Sequence, residues 1–99
     1  MYQYIKLFPK KDRYSLGQRI DDTTLLIFEN LIQASQTKGE DKIHLLVIAS
    51  VKLDILKIFI RLAKNVQALD NKNYLTLQEL LQEIGKMLGG WLRATKQNL

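Results

Sequence analysis

Residues 43–69 read IHLLVIASVKLDILKIFIRLAKNVQAL, a run of 27 residues that contains neither glycine nor proline. A β-strand of this length would be several times longer than the usual ~5–6 residues, so a helix is the better interpretation. A membrane span would need about 20 nearly uncharged residues, and this run is interrupted by charges. The interrupting residues are Lys52, Asp54, Lys57 and Arg61. We therefore predict a long buried helix that the rest of the chain must cover.

The apolar side chains of this helix are too many for one neighbour to cover. At about 3.6 residues per turn, one side carries Ile43, Leu46, Val47, Leu53, Leu56, Ile60, Ala63 and Val66. The other sides carry Leu45, Ile48, Val51, Ile55, Ile58, Phe59 and Leu62. A narrow polar strip holds Asp54, Lys57, Arg61 and Lys64, at spacings that place them on a common face. The pattern predicts packing partners on more than one side.

A second long helix precedes this one, from about Arg13 to Gln36. Its main apolar stripe is formed by Leu16, Ile20, Ile27, Leu31 and Ala34. A second apolar face carries Leu25, Phe28 and Ile32, roughly 120–180° away at 100° per residue. Gly39 is the natural left-handed residue between the two helices.

A third long helix follows the polar turn at residues 70–73. Thr76 and Glu79 have the spacing of a capping box, which predicts that this helix begins at Leu77. Its apolar stripe is formed by Leu77, Leu81, Ile84, Leu88, Trp91 and Thr95. Gly85 and Gly89 lie one turn apart at the edge of the stripe, and each glycine inside a helix costs roughly 1 kcal/mol relative to alanine. We expect a second helix to approach closely there.

These elements predict an all-α protein with a single domain over residues 1–99. The expected fold is an up-and-down four-helix bundle with a shortened first helix, Met1 to Leu7, which Pro9 ends. The three long helices are placed at about 13–36, 41–69 and 76–96. Three helices cannot cover all of the apolar surface, so we expect a homo-oligomer. Its expected interface residues are Leu25, Phe28, Ile32, Gly85 and Gly89.

Residue types that support catalysis are scarce in this chain. His44 is the single histidine, there is no cysteine, and no Ser-His-Asp set, phosphate-binding glycine loop or metal-ligand spacing occurs. The adjacent Asp21 and Asp22 point about 100° apart on a helix, which argues against a catalytic pair. We therefore predict no enzyme activity, no cofactor, no metal and no small-molecule substrate. The N-terminus lacks a signal-peptide core, so the expected location is the cytoplasm, away from the membrane.

An excess of basic residues is the stronger functional signal. Fifteen Lys and Arg oppose ten Asp and Glu, which gives a net charge of +5. Such an excess favours polyanionic partners, although a solvated face that keeps an apolar helix soluble is the alternative interpretation. Trp91 and Phe59 fall at predicted core positions, so no platform for stacking nucleic-acid bases stands out. The candidate contacts with nucleic acid are Lys10, Lys11, Arg13 and Arg19 near the first turn, and Lys57, Arg61 and Lys64 on the central helix.

Three blocks of the sequence resemble a known family. They are FPKKDRYSLGQRI at Phe8–Ile20, LDILKIFIRL at Leu53–Leu62 and EIGKMLGGWLR at Glu83–Arg93. Their order and spacing are similar to those of the accessory variability determinant (Avd) proteins of diversity-generating retroelements. Those proteins are relatives of the four-helix-bundle proteins encoded by 23S rRNA intervening sequences.

The resemblance implies a four-helix-bundle protomer that assembles into a ring, typically a pentamer, with a basic surface. It also implies a non-catalytic protein whose partners are the retroelement's reverse transcriptase and its template RNA during mutagenic retrohoming. Basic positions of the family blocks correspond to Lys10, Arg13, Arg19, Lys57, Arg61 and Arg93, which adds Arg93 to the candidates.

Two alternatives to a retroelement role stay open. One is a bundle of the intervening-sequence type, and the other is a general helical interaction module without a nucleic-acid role. The chain also departs from the family in one respect. A full helix usually precedes the Phe-Pro-Lys block, whereas seven residues precede it here, so we expect a groove in the place of that helix.

Overall fold

The computed structural model describes all 99 residues, and all of its regular structure is helical. The helices are α1 (Tyr2–Ile5), α2 (Lys10–Arg13), α3 (Leu16–Ser35), α4 (Gly39–Asn65) and α5 (Asn71–Gln97). The three long helices run up, down and up, and the molecule is elongated, at 47 × 21 × 17 Å. The predicted all-α bundle with three long helices and a shortened first helix is confirmed.

Helix α4 is the centre of the molecule. It packs against both α3 and α5, which hardly contact each other. Its buried residues are Leu46, Ala49, Leu53, Leu56, Ile60 and Ala63, as the sequence predicted for all but Ala49. The prediction was wrong for Val47 and Val66, which were placed on the same side but are 43% and 52% exposed. Because α4 is apolar on opposite faces, the pattern alone did not separate its core face from its outer face.

The predicted stripe of α3 faces the core. Ile20, Ile27 and Ala34 are buried, and Leu16 and Leu31 pack partly buried against them. Leu25, Phe28 and Ile32 lie on the second face and are more than half exposed, as expected for a face without a partner in the protomer. Gly39 is the first residue of α4 and has a φ of +67°, which confirms the predicted left-handed conformation at this position.

The C-terminus of α4 lies at Asn65, four residues earlier than predicted. Gln67 adopts a φ of +63°, and the amides of Ala68 and Leu69 both donate hydrogen bonds to the carbonyl of Ala63, at 2.9 and 3.1 Å. Ala68 and Leu69 are buried, so they close the end of the core as part of a turn. Their apolar character extended the helical pattern past the actual end of the helix.

The predicted start of the third long helix was wrong. Helix α5 begins at Asn71, and the Asp70 carboxylate caps it by accepting a hydrogen bond from the amide of Asn73 at 2.7 Å. Thr76 lies inside the helix, where its hydroxyl donates to the carbonyl of Lys72. The earlier start also brings Tyr74 into the core, where it is 9% exposed. Asp70, six residues before Thr76, is therefore the N-cap of α5, although Thr76 and Glu79 have the spacing of a capping box.

The two candidate caps make opposite predictions for mutation. Asp70→Ala should lower the free energy of unfolding by about 0.5–2 kcal/mol, because the amide of Asn73 loses its acceptor. Thr76→Ala should be neutral or slightly stabilising, because alanine has the higher helix propensity. Urea unfolding followed by circular dichroism measures both. A larger loss for Thr76→Ala would restore the capping box and contradict the observed helix start.

The N-terminal segment covers one end of α3. Ile5 and Phe8 are buried there, and a Cβ on Gly17 would lie 2.8 Å from Cγ2 of Ile5. Toward the other end of the bundle a groove opens between α3 and α5, lined among others by Leu31, Leu46 and Trp91. Trp91 was predicted in the core but is 46% exposed, because no helix of the protomer covers this groove.

Candidate nucleic-acid interface

Two adjoining depressions run along the junction between α4 and α5. Both are lined by Lys57 and Gln82, so they form one continuous furrow. We call it the basic furrow. It is lined by Lys57 and Arg61 of α4 and by Lys86 and Arg93 of α5. Lys64 of α4 borders it through its contact with the Tyr74 ring and is counted as its fifth cation. From Tyr74 to Arg93 it extends about 28 Å along α5, at 1.5 Å per residue. Antiparallel packing of two helices thus brings cations from distant parts of the sequence into one row.

Two glycines form the floor of the furrow. A Cβ on Gly85 would lie 3.6 Å from both Nζ of Lys57 and Cδ2 of Leu53, and one on Gly89 would lie 3.7 Å from Nη1 of Arg93. These distances are ordinary van der Waals contacts, so a methyl group would fit, and the predicted close approach of a second helix was wrong within the protomer. The helix nearest to Gly85 is α4 of the same chain. The glycines leave the backbone of α5 accessible between the flanking cations.

The cations of the furrow are largely unpaired. Within the protein one ion pair forms, between Lys86 and Glu83 at 3.8 Å, and both side chains are mostly exposed. An exposed pair of this kind contributes little and leaves Lys86 available to another anion. Asp54 is the one carboxylate that lines the furrow. Five cations against these two carboxylates leave the furrow with a net positive charge.

Lys64 is held at one end of the furrow by an aromatic ring. Its Nζ lies 4.6 Å from the ring centroid of Tyr74, within the range of a cation–π interaction. Tyr74 is buried and also lines the furrow. The contact orients the ammonium group without neutralising its charge, so Lys64 can still attract an anion.

A family model described as bAvd-like matches residues 1–95, nearly the whole chain. The chain belongs to the bAvd-like family. No curated protein and no solved structure matches it. The family assignment confirms the resemblance to Avd proteins, and at this level the chain is an accessory protein of a non-catalytic family.

The three family-like blocks occupy distinct parts of the structure. The first forms α2 and the start of α3, the second lies in the middle of α4, and the third lies in the C-terminal half of α5. The second and third blocks face each other across the furrow, where Lys57 of one lies beside Gly85 of the other. The two blocks together thus supply four of its five cations.

The first basic cluster is not part of the furrow. Lys10 and Lys11 are exposed on α2, Arg19 is exposed on α3, and neither they nor Arg13 line it. Arg13 is half-buried, and its Nη2 donates hydrogen bonds to the carbonyls of Lys6 at 3.0 Å and Phe8 at 3.3 Å. Arg13 therefore stabilises the fold of the N-terminal segment through these hydrogen bonds to its backbone.

Sequence reasoning missed one cation of the furrow. Lys86 was not among the predicted contacts, because the spacing did not show that its face of α5 borders α4. The furrow could have been found only by pairing the two helices in the correct register. Trp91, more exposed than predicted, lines the groove between α3 and α5 and does not line the furrow.

The expected interface residues lie on two separate surfaces. Leu25, Phe28 and Ile32 are exposed on α3, whereas Gly85 and Gly89 lie on α5 beside the furrow. The structure does not bring the two groups together. A single flat contact could therefore not use both groups.

No three acidic or histidine side chains stand close enough together to hold a metal ion. Among the helices, none has an apolar stretch of the length that a bilayer crossing requires.

Proposed function

We propose that this chain is a basic, non-catalytic accessory protein of a diversity-generating retroelement, acting in the cytoplasm on the template RNA and the reverse transcriptase. The observation that carries the proposal is the basic furrow, a row of five largely unpaired cations over a glycine floor. Membership of the bAvd-like family supports the retroelement context.

The furrow suits a phosphate backbone better than a small ligand. Its cations are distributed over about 28 Å, whereas a small molecule would need them to converge on one point. Contacts to phosphates need charge and reach, and they position a nucleic acid without reading its sequence. We therefore expect RNA to lie along the junction of α4 and α5 with little sequence preference.

We further propose that the protein acts as a homo-oligomeric ring, typically a pentamer in this family. Support comes from apolar surface that the protomer leaves uncovered, notably Leu25, Phe28 and Ile32 on α3. A ring would place several furrows around one assembly and multiply weak contacts with a single RNA. The remaining basic cluster, formed by Lys10, Lys11 and Arg19, is a second candidate contact for RNA or polymerase.

Removal of three furrow cations should weaken RNA binding. The variant Lys57→Gln, Arg61→Gln, Lys64→Gln is expected to bind a structured RNA about ten- to a hundredfold more weakly at low salt. The slope of log affinity against log salt should become less steep by about 2, at ~0.7 per lost phosphate contact. Fluorescence anisotropy over a salt series measures both quantities.

A matched control removes the same charge elsewhere. Lys38, Lys72 and Lys96 are exposed, and none lines the furrow, so their triple replacement by Gln lowers the net charge equally. We expect this variant to retain most of its affinity. Equal weakening by the two triple variants would show that RNA binding depends only on the overall charge of the protein. Unchanged binding of the furrow variant would show that its cations do not contact RNA and only keep the helix surface solvated.

The polymerase contact needs a separate measurement. A retroelement reverse transcriptase should co-purify with the protein after nuclease treatment if the two proteins touch directly. Loss of co-purification after that treatment would indicate that RNA bridges them. Polymerase binding by a chain indifferent to RNA would favour the alternative of a helical interaction module.

A further inference from the structure

The outer side of α4 carries a continuous apolar line. We call it the outer seam, and it consists of Val47, Val51, Ile55, Ile58, Leu62 and Val66. These side chains are 40–60% exposed, although the opposite side of the same helix forms the core. From Val47 to Val66 the seam extends about 28 Å, at 1.5 Å per residue. An apolar line of this length on a monomer marks a contact surface.

The spacing of the outer seam has two-fold symmetry. Its members are separated by 4, 4, 3, 4 and 4 residues, a series that reads the same in both directions. An antiparallel second copy of α4 therefore matches it in order and spacing. Val47 would oppose Val66, Val51 would oppose Leu62, and Ile55 would oppose Ile58 of the second copy. The symmetry axis would pass between Leu56 and Lys57.

The residues that flank the seam fit the same arrangement. Asp54 and Arg61 lie on one flank, both exposed and without an ion-pair partner in the protomer. In an antiparallel pair each flank meets its own copy, which places Asp54 opposite Arg61 of the second copy, twice per dimer. On the other flank, Lys52 would lie beside Phe59 of the second copy, where a cation–π contact can form.

A parallel arrangement would lack these advantages. It would set the two helix dipoles side by side in the same direction, which is electrostatically unfavourable. It would also bring the basic last turns of the two α4 helices together, each ending in Lys64. The antiparallel arrangement avoids both costs.

We infer that two copies of this chain pair through their outer seams in an antiparallel, two-fold-symmetric contact. Such an isologous contact closes with two copies. If other faces build a ring, the seam pairs one ring with another. The inference does not depend on RNA or polymerase binding, although Arg61 at the border of the furrow belongs to both surfaces.

The absence of cysteine allows the register to be tested by disulfide cross-linking. Two single variants, Val51→Cys and Leu62→Cys, carry different affinity tags and are unfolded and refolded together before mild oxidation. We expect a mixed disulfide between the two variants. Each variant alone should cross-link poorly, because its two cysteines would be about 16 Å apart along the helix, beyond the ~7 Å that a disulfide spans.

Other cross-linking patterns would overturn the inference. Efficient cross-linking of each variant alone, without the mixed product, would indicate parallel pairing. No cross-linking in any combination would show that the seam does not meet a second copy.

Native mass gives a second, independent test. By light scattering the wild-type protein should contain two protomers of 11.5 kDa each, or ten if paired five-membered rings form. Replacing Val51 and Leu62 together by Gln should halve that number while leaving the helical circular dichroism unchanged. Neither residue lines the furrow, and the net charge is unaltered. A wild-type mass of one or five protomers would contradict the inference. RNA binding by the Val51→Gln, Leu62→Gln variant shows whether the proposed function stands when the pairing fails.

Discussion

Ile60→Ala should lower the free energy of unfolding by about 2–5 kcal/mol, the usual range for removing a large buried aliphatic side chain. Ile60 is 1% exposed on the core face of α4, the helix against which both α3 and α5 pack. Truncation there leaves a cavity that neither neighbour can fill without moving. In a small domain such a loss is a large fraction of the total stability. Urea unfolding at low protein concentration measures it.

The matched control is the same substitution on an exposed face. Ile32 of α3 is 60% exposed, so Ile32→Ala should change the free energy of unfolding by no more than about 0.5 kcal/mol. The concentration must be low enough to dissociate any oligomer, because an interface at Ile32 would otherwise add to its cost. Similar losses at the two positions would mean that α4 is not the buried centre of the bundle.

Most of the fold was predictable because helix periodicity and turn residues act locally. The stripe of α3 and the left-handed Gly39 followed from spacing and from the conformational freedom of glycine. The errors arose where two local signals competed. Asp70 and Thr76 are both good caps, and the buried position of Tyr74 fits the helix that begins at the earlier one.

The faces of α4 show a second limit of sequence reasoning. Its apolar residues lie on opposite sides, so periodicity could identify a helix without deciding which side its neighbours cover. Val47 and Val66 were grouped on one side with the residues that form the core, although they belong to the outer seam. Only the packing of α3 and α5 resolves this ambiguity.

Four of the five cations of the basic furrow were predicted from the sequence, and Lys86 was not. Lys57, Arg61 and Lys64 share a face of one helix, and their spacing alone shows it. Lys86 joins them through contact between helices, which depends on the register of α4 against α5. Arg13 looked like another surface cation, but its guanidinium binds two backbone carbonyls of the folded N-terminal segment. Counting charges does not distinguish a cation exposed to solvent from one that binds backbone carbonyls.

Gly17→Leu should displace the N-terminal segment from α3 and lower the free energy of unfolding by about 1–3 kcal/mol, the usual cost of overpacking. Already a Cβ at Gly17 would lie 2.8 Å from Cγ2 of Ile5 and 3.2 Å from the carbonyl oxygen of Asp12. The carbonyl belongs to the backbone of α2, so it cannot move without shifting that helix.

Gly90→Leu is the matched control, and the opposite sign is expected. Nothing lies within 4 Å of a Cβ at Gly90, so leucine there should raise the free energy of unfolding by up to about 1 kcal/mol through its better helix propensity. Hydrogen exchange of the Phe8 amide, which donates to the carbonyl of Ile5, should accelerate in Gly17→Leu and stay unchanged in Gly90→Leu. If Gly17→Leu kept both its stability and the protection of this amide, the close contact between the N-terminal segment and α3 would be contradicted.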